Sequence, residues 1–130
     1  MPDSLNQIFL NDYHASCGAK FAPYAGYSMP INYSKGIIKE HLHTRKSVSV
    51  FDVSHMGQIL IPSSVDNCKE LEKIIPLDIN NLKLNNSFYS FILNDRGGII
   101  DDIIISKIII DNFEYFFLVY NASRKNIDEE

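Results

Sequence analysis

Two adjacent carboxylates, Asp101 and Asp102, are the residues whose surroundings most suggest chemistry. They follow the turn Gly97-Gly98 and lead into Ile103-Ile104-Ile105, and carboxylates beside such an apolar strand are costly unless they are solvated or partnered. Side chains alternate between the faces of a strand, so Asp102 shares a face with Ile104 and Asp101 lies on the other. At most one carboxylate can face a given pocket, where it could position a ligand or transfer a proton. Spacing alone favours a plainer alternative, a solvated strand end beside a glycine turn.

Four histidines prompt a search for a metal site. His41 and His43 are two residues apart and diverge on a helix, while His14 and His55 have no cluster of ligands near them in the sequence. We therefore expect no metal. A Ser-His-Asp hydrolase can be imagined from Asp52-Val53-Ser54-His55, but residues this close in one segment do not form a triad by spacing. The sequence favours a structural role for His55, such as fixing its loop.

Composition narrows the classes of protein that remain. The chain has 130 residues, of which 45% are hydrophobic, and its net charge is -4, as in ordinary globular domains. The sequence has no basic stripe for a phosphate backbone and no apolar run long enough to span a bilayer, so we expect neither nucleic acid nor a membrane as partner. We expect Cys17 and Cys68 to be free buried thiols. With no secretory signal and no Arg-rich transit peptide, a bacterial cytoplasmic protein is expected over a mitochondrial matrix one.

The elements that must position these residues are mixed helices and strands. Helical spacing of apolar residues, capping serines and terminating proline predict the helices, and β-branched runs predict the strands. No regular strand-helix-strand alternation is present, so the predicted class is α+β. The predicted elements, in order, are a helix from Leu5 to Tyr13 capped by Ser4 and closed by Gly18, an irregular apolar segment from Phe21 to Tyr33, a helix capped by Ser34 and ending near Ser47, a strand within Val48 to Ile61, a helix from Val65 to Ile75, and an antiparallel meander of Phe88 to Leu93, Ile99 to Ile110 and Phe113 to Tyr120.

The last residues, from Ser123 onward, have the pattern of the first turns of a further helix. The apolar residues that would form the buried face of such a helix are missing from the sequence. This pattern predicts a chain that ends before its fold is complete. A surface left uncovered in this way would promote self-association.

Six motifs lie in order along nearly the whole chain. They are Gly18-Ala19-Lys20, Ala25-Gly26-Tyr27-Ser28-Met29-Pro30, Tyr33-Ser34-Lys35-Gly36-Ile37-Ile38-Lys39-Glu40-His41, Phe51-Asp52-Val53-Ser54-His55-Met56-Gly57, Gly97-Gly98-Ile99-Ile100-Asp101-Asp102 and Val119-Tyr120-Asn121-Ala122-Ser123. Together they resemble the N-terminal region of glycine cleavage T-proteins. The resemblance implies a three-domain cloverleaf around a folate channel, in which residues 1–130 form part of the first, folate-binding domain and the later domains are absent.

The resemblance also implies an activity. T-proteins take the aminomethyl group carried on the lipoyl arm of the H-protein, release ammonia and form methylenetetrahydrofolate from tetrahydrofolate, without a metal. A fragment limited to residues 1–130 is then expected to be inactive alone. Two alternatives remain open: another folate-dependent enzyme of the same family, such as a demethylase or the folate domain of a dimethylglycine or sarcosine oxidase, and a non-catalytic folate-binding protein of iron-sulfur repair. The intact Asp101-Asp102 pair weighs against the second.

Site residues follow from the same resemblance. The second aspartate of the Gly-Gly-Ile-Ile-Asp-Asp motif is the family's essential carboxylate and corresponds to Asp102, in agreement with the alternation of strand faces. Ser106 stands where relatives can carry an aromatic residue and Tyr27 where many carry tryptophan, so the pocket walls can differ. For each apolar position a plain core residue is an equal alternative. The folate-lining positions that the resemblance implies are Met56, Leu60, Tyr89, Asp102, Ile104, Val119 and Asn121.

Overall fold

A computed structural model describes residues 4–129. Contacts divide the chain into two units, with the boundary between His55 and Met56. Each unit combines short helices with a mainly antiparallel sheet, so the predicted α+β class is confirmed. None of the helices within residues 4–129 is long and apolar enough to span a membrane.

The first unit contains a three-stranded sheet and two helices. The strand order is β1-β3-β2, with β1 parallel and β2 antiparallel to β3. The predicted second helix is confirmed as α2, although the structure places Gly36, and not Ser34, at its N-cap. The elements are β1 (Asn6–Gln7), α1 (Asn11–Ser16), β2 (Lys20–Tyr24), β3 (Tyr27–Asn32) and α2 (Ile37–Lys46).

The segment predicted to be irregular, Phe21 to Tyr33, is largely the β2–β3 hairpin. Its turn residues Ala25 and Gly26 have φ values of 47° and 80°, the left-handed pair that a tight hairpin turn requires. This turn was not predictable from the sequence, because alanine is disfavoured at positive φ and so does not indicate a left-handed turn residue. The irregular prediction was therefore wrong.

One further prediction for the first unit needs correction. The first helix begins at Asn11, and not near Leu5, because the backbone N–H of Asn6 donates to the carbonyl of Gly26 at 3.0 Å and draws this segment into β1. The strand predicted within Val48 to Ile61, entered from a loop around Ser54 to Gly57, is confirmed and runs from Gly57 to Pro62. An extended segment becomes a strand only where a neighbour supplies hydrogen bonds, and the strand Phe113–Tyr120 does so from Gly57.

The second unit is a four-stranded antiparallel sheet with the order β4-β7-β6-β5. The predicted meander is confirmed, and its second turn, Asp111-Asn112, has positive φ at both residues. The helix after Ser64 is also confirmed, with the Ser64 hydroxyl accepting the N–H of Asn67 at 3.1 Å. The elements are β4 (Gly57–Pro62), α3 (Val65–Ile74), β5 (Ser87–Leu93), β6 (Ile99–Ile110), β7 (Phe113–Tyr120), a 3₁₀ turn (Ala122–Arg124) and α4 (Lys125–Asp128).

One face of this sheet forms the hydrophobic core of the second unit. Alternate residues of the central strands point into it, including Ile103, Ile105 and Phe116, each at most 1% exposed. Helix α3 and the segment after it cover that face with Cys68, Leu71, Ile75, Ile79 and Leu82. Cys68 is thus buried as predicted, whereas Cys17 is exposed, which corrects the prediction for that thiol.

Candidate functional site

The sheet face opposite this core, called here the outer face, carries most of the residues that the sequence singled out. Tyr89, Ile104 and Val119 are direct neighbours across β5, β6 and β7 and therefore lie side by side. Leu60 lies in the next row, opposite Phe117. Leu60, Ile104 and Tyr89 are 45% to 65% exposed, so this face presents an apolar surface.

Asp101 and Asp102 point to opposite faces near the start of β6, as the alternation of strand residues predicted. Asp101 lies on the core side and is only 7% exposed, whereas Asp102 is exposed and pairs with Phe91 on the outer face. Asp102 is therefore the carboxylate that stands beside the apolar row containing Ile104. The alternative considered from the sequence, a solvated strand end beside a glycine turn, is wrong for Asp101, which is buried.

Asn121 directly follows β7 and connects the two carboxylates. Its side-chain Nδ2 donates to Asp101 Oδ1 at 2.9 Å and to Asp102 Oδ1 at 3.0 Å, and its backbone N–H donates to Asp101 Oδ2 at 3.0 Å. The predicted folate-lining residue Asn121 thus has its amino group engaged by protein carboxylates. In this structure the side chain of Asn121 joins the end of β7 to the start of β6.

The charges at this end of the sheet perturb one another. Burial acts to raise the pKa of Asp101, but hydrogen bonds from the side chain and backbone of Asn121 outweigh it and lower that pKa below its ordinary value. Burial, followed by a hydrogen bond to Asp101 and its negative charge, raises the pKa of Asp128 to about 6. Partial desolvation, followed by the charge of Asp102 and a hydrogen bond to it, raises the pKa of Tyr89. Asp102 thus has a phenol and an amide as close polar neighbours.

The other predicted positions are placed as follows. Met56 is half-buried and lies directly before β4. Ser106 is buried, and its hydroxyl lies 2.7 Å from that of Ser87 on the neighbouring strand. The structure thus brings Leu60, Tyr89, Asp102, Ile104 and Val119 together on the outer face, with Asn121 at its end, and folate binding by these residues stays a prediction.

A second polar cluster, in the first unit, was missed in the sequence. His14 is 8% exposed, its Nε2 lies 2.8 Å from Asp52 Oδ2, and its Nδ1 lies 2.7 Å from the Tyr33 hydroxyl. An ionised Asp52 accepts a hydrogen bond from the Nε2–H group, so in neutral His14 the other nitrogen, Nδ1, accepts the hydrogen bond of the Tyr33 O–H. Asp52 also accepts the N–H of Ser54 at 2.9 Å. No local signal could reveal this cluster, because its members are 19 and 38 residues apart.

This cluster fixes the irregular segment that contains Asp52 and Ser54. His55, for which a structural role was predicted, packs against the rings of Tyr24 and Tyr27, with centroids 5.7 and 6.2 Å away. Within residues 4–129, no group of three or more His, Cys, Asp or Glu side chains is arranged to hold a metal ion. The hydrogen bonds of His14 to Asp52 and Tyr33, and of Asp52 to Ser54, make this cluster a structural clamp on the segment.

The clamp should make stability depend on pH. Burial acts to raise the pKa of Asp52, but hydrogen bonds from His14 and Ser54 lower it from 3.8 to about 2. A carboxyl group whose pKa is lower in the folded state stabilises that state at pH values above the pKa it has in the unfolded chain. This stabilisation should therefore be lost as the pH falls from 3.8 towards 2. Asp52→Asn should lower the free energy of unfolding at pH 7 by about 2 kcal/mol and flatten its change across that window.

Urea unfolding of both proteins at pH 7 and at pH 2 to 4 measures this effect. Asp66→Asn is the matched control, because the Asp66 side chain is 94% exposed. Equal unfolding free energies for the parent and Asp52→Asn at pH 7 would show that the clamp does not stabilise the fold.

The fold and the outer face together define a class of protein: an α+β protein in which one carboxylate, Asp102, lies on an exposed apolar sheet face. Residues 10–129 match the family model described as the GCVT N-terminal domain. The chain belongs to this family.

Curated relatives agree with this assignment. The mitochondrial aminomethyltransferase of Dictyostelium discoideum is 43% identical over 105 residues, covering 81% of this chain and 26% of the relative. The aminomethyltransferase of Clostridium botulinum (strain ATCC 19397 / Type A) is 39% identical over 119 residues, covering 92% of this chain and 31% of the relative. The chain thus spans under a third of the length of these relatives.

A solved structure supports the fold. The crystal structure of the glycine cleavage system aminomethyltransferase T from Bartonella henselae matches with a TM-score of 0.81 and 37% identity. The match covers 96% of this chain and 34% of that protein. The resemblance to the T-protein family inferred from the six motifs is confirmed.

Proposed function

We propose that this chain is part of an aminomethyltransferase of the glycine cleavage system. In the complete gene product it would transfer the aminomethyl group from the lipoyl arm of the H-protein to tetrahydrofolate, with release of ammonia and formation of methylenetetrahydrofolate. The observation that carries the proposal is the position of Asp102 on the outer face, beside Ile104 and hydrogen-bonded to Asn121. Family membership and the aminomethyltransferase relatives support it.

The outer face suits a flat, partly polar ligand such as tetrahydrofolate. Leu60, Ile104 and Val119 offer apolar contact for ring atoms, and small-molecule sites commonly combine an apolar lining with a few placed polar groups. Tyr89 adds an aromatic ring whose centroid lies 5.4 Å from that of Phe91. Tetrahydrofolate is the proposed acceptor, and no metal is required by the proposal.

Asp102 is the residue proposed to act on the substrates. Attack of a folate nitrogen on the aminomethyl carbon requires the nucleophile to be held in place, and the departing amine takes up a proton. A carboxylate on the outer face can accept a hydrogen bond from the pterin and so orient it. The same group can assist the movement of the proton.

The proposed partner is the lipoylated H-protein, and the proposed location is the bacterial cytoplasm. The similar proteins include both mitochondrial and bacterial members. Two alternatives from the sequence, a different folate-dependent one-carbon enzyme or demethylase and a non-catalytic iron-sulfur repair protein, share folate binding with this proposal. A binding measurement alone therefore does not separate them.

An assay of the complete gene product with tetrahydrofolate and lipoylated H-protein that carries the aminomethyl group separates them. We expect ammonia and methylenetetrahydrofolate in equal amounts, and neither product with unlipoylated H-protein or without folate. Residues 1–130 alone should give no turnover, because this chain spans only 26% to 34% of the similar proteins. Folate binding without aminomethyl transfer would overturn the proposal in favour of one of the alternatives.

A further inference from the structure

We propose that Asn121 is a positioning residue that holds the Asp102 carboxylate for the reaction, with Asp101 as its buried anchor. This inference rests on the proposed function and deepens it. It differs from the expectation that Asn121 lines the folate site, because here the residue acts through Asp102.

The amino group of Asn121 connects the two carboxylates directly. Ionised carboxylates only accept hydrogen bonds, so the amide must present nitrogen to Asp101 Oδ1, at 2.9 Å, and to Asp102 Oδ1, at 3.0 Å. A side-chain amide nitrogen has two hydrogens, and its two shortest contacts are with the two carboxylates, while the Asp102 carbonyl lies farther away at 3.4 Å. The amino group is thereby fully engaged and leaves no donor for a ligand.

Asp101 fixes the orientation of that amide. It is 7% exposed, and its second oxygen accepts the backbone N–H of Asn121 at 3.0 Å. Two hydrogen bonds to one carboxylate, from the backbone and from the side chain, restrict the rotation of the Asn121 side chain. The buried carboxylate on the core side is thus linked to the exposed one on the outer face.

Without Asn121, the Asp102 side chain would be less restrained, with Tyr89 as its remaining close polar neighbour among those named above. It is exposed on the outer face, and a solvated side chain samples several rotamers. Transfer chemistry demands a fixed geometry, since small displacements of a reacting group reduce rate strongly. The hydrogen bond from Asn121 therefore contributes to rate by holding Asp102 in one orientation.

Asn121→Ala in the complete gene product tests this role. The backbone N–H remains available to Asp101, so the turn after β7 should be retained. We expect kcat to fall about 10- to 100-fold, as for loss of a hydrogen bond to a charged group, with little change in KM for tetrahydrofolate. Arg124→Ala is the matched control, because it removes the hydrogen bond from Nη2 to the Ile100 carbonyl at the same end of the sheet. Its kcat should stay within about twofold of the parent.

A double-mutant cycle with Asp102→Ala distinguishes positioning from a general structural effect. If Asn121 acts through Asp102, Asn121→Ala should cost little once the Asp102 carboxylate is gone. Additive losses, or a raised KM for tetrahydrofolate with unchanged kcat, would overturn the inference while leaving the proposed function in place. Absence of aminomethyl transfer in the parent protein would instead overturn the proposed function.

Circular dichroism and thermal unfolding monitor folding of every variant. If Asn121→Ala is recovered only in unfolded form, Asn121→Ser takes its place in the cycle, because serine is compatible with the turn but too short to reach both carboxylates. A kcat equal to that of the parent in the folded serine variant would also contradict the positioning role.

Discussion

Asp102→Asn in the complete gene product should reduce aminomethyl transfer by about 10²–10⁴-fold, a loss of about 3–5 kcal/mol of transition-state stabilisation. Asparagine keeps the size of the side chain but removes its charge and its ability to take up a proton. Asp102 is exposed on the outer face, so the substitution leaves the core of the second unit intact. The measurement is the initial rate of methylenetetrahydrofolate formation from tetrahydrofolate and lipoylated H-protein that carries the aminomethyl group.

Asp101→Asn is the matched control, because it makes the same chemical change one residue earlier on the opposite face. Its loss of rate should be smaller, at most the about 10- to 100-fold expected for Asn121→Ala, because Asp101 acts on the reaction only through Asn121. Its effect on stability should be larger, since Asp101 accepts two hydrogen bonds from Asn121. Circular dichroism confirms that both variants fold. Near-normal turnover in Asp102→Asn, or a greater loss of rate in Asp101→Asn, would refute the assignment of the carboxylate.

Gly57→Ala should destabilise the second unit by about 3 kcal/mol, near the upper end for overpacking of a core. A Cβ atom at position 57 would lie 2.0 Å from the ring of Tyr120, its neighbour across β4 and β7. Tyr120 is 2% exposed and its hydroxyl donates to Glu129, so the ring has little room to move. The free energy of unfolding in urea, compared with that of the parent, measures the effect.

The double variant Gly57→Ala with Tyr120→Leu identifies the cause. Leucine lacks the ring atoms that a Cβ at position 57 would meet, so the added methyl group should cost much less in this background. Equal costs of Gly57→Ala in both backgrounds would show that the backbone, and not the Tyr120 ring, requires glycine.

Local patterns were sufficient for the second unit. The meander was predictable because strands alternate every two residues and its turns, Gly97-Gly98 and Asp111-Asn112, use residues that tolerate the required backbone geometry. Helix α3 was predictable because Ser64 can cap it and Pro76 cannot continue it. The same alternation placed Asp101 and Asp102 on opposite faces, which is the basis for choosing one of them.

Local patterns failed where pairing overrode local preference. The β2–β3 hairpin turns at Ala25, a residue that gives no sign of a left-handed conformation. The segment near Leu5 has helical spacing, yet Asn6 and Gln7 pair with β3. Tertiary hydrogen bonds decide such cases because the preference of a single residue amounts to less than about 1 kcal/mol.

The sequence by itself determined the α+β class, the T-protein resemblance and the strand face of Asp102, because each depends on the order and spacing of nearby residues. Only the tertiary structure decided which side chains meet. His14 contacts Asp52 across 38 positions, and Asn121 contacts Asp102 across 19. These contacts depend on how the tertiary fold brings distant strands and loops together. The spacing of neighbouring residues in the sequence does not determine that arrangement.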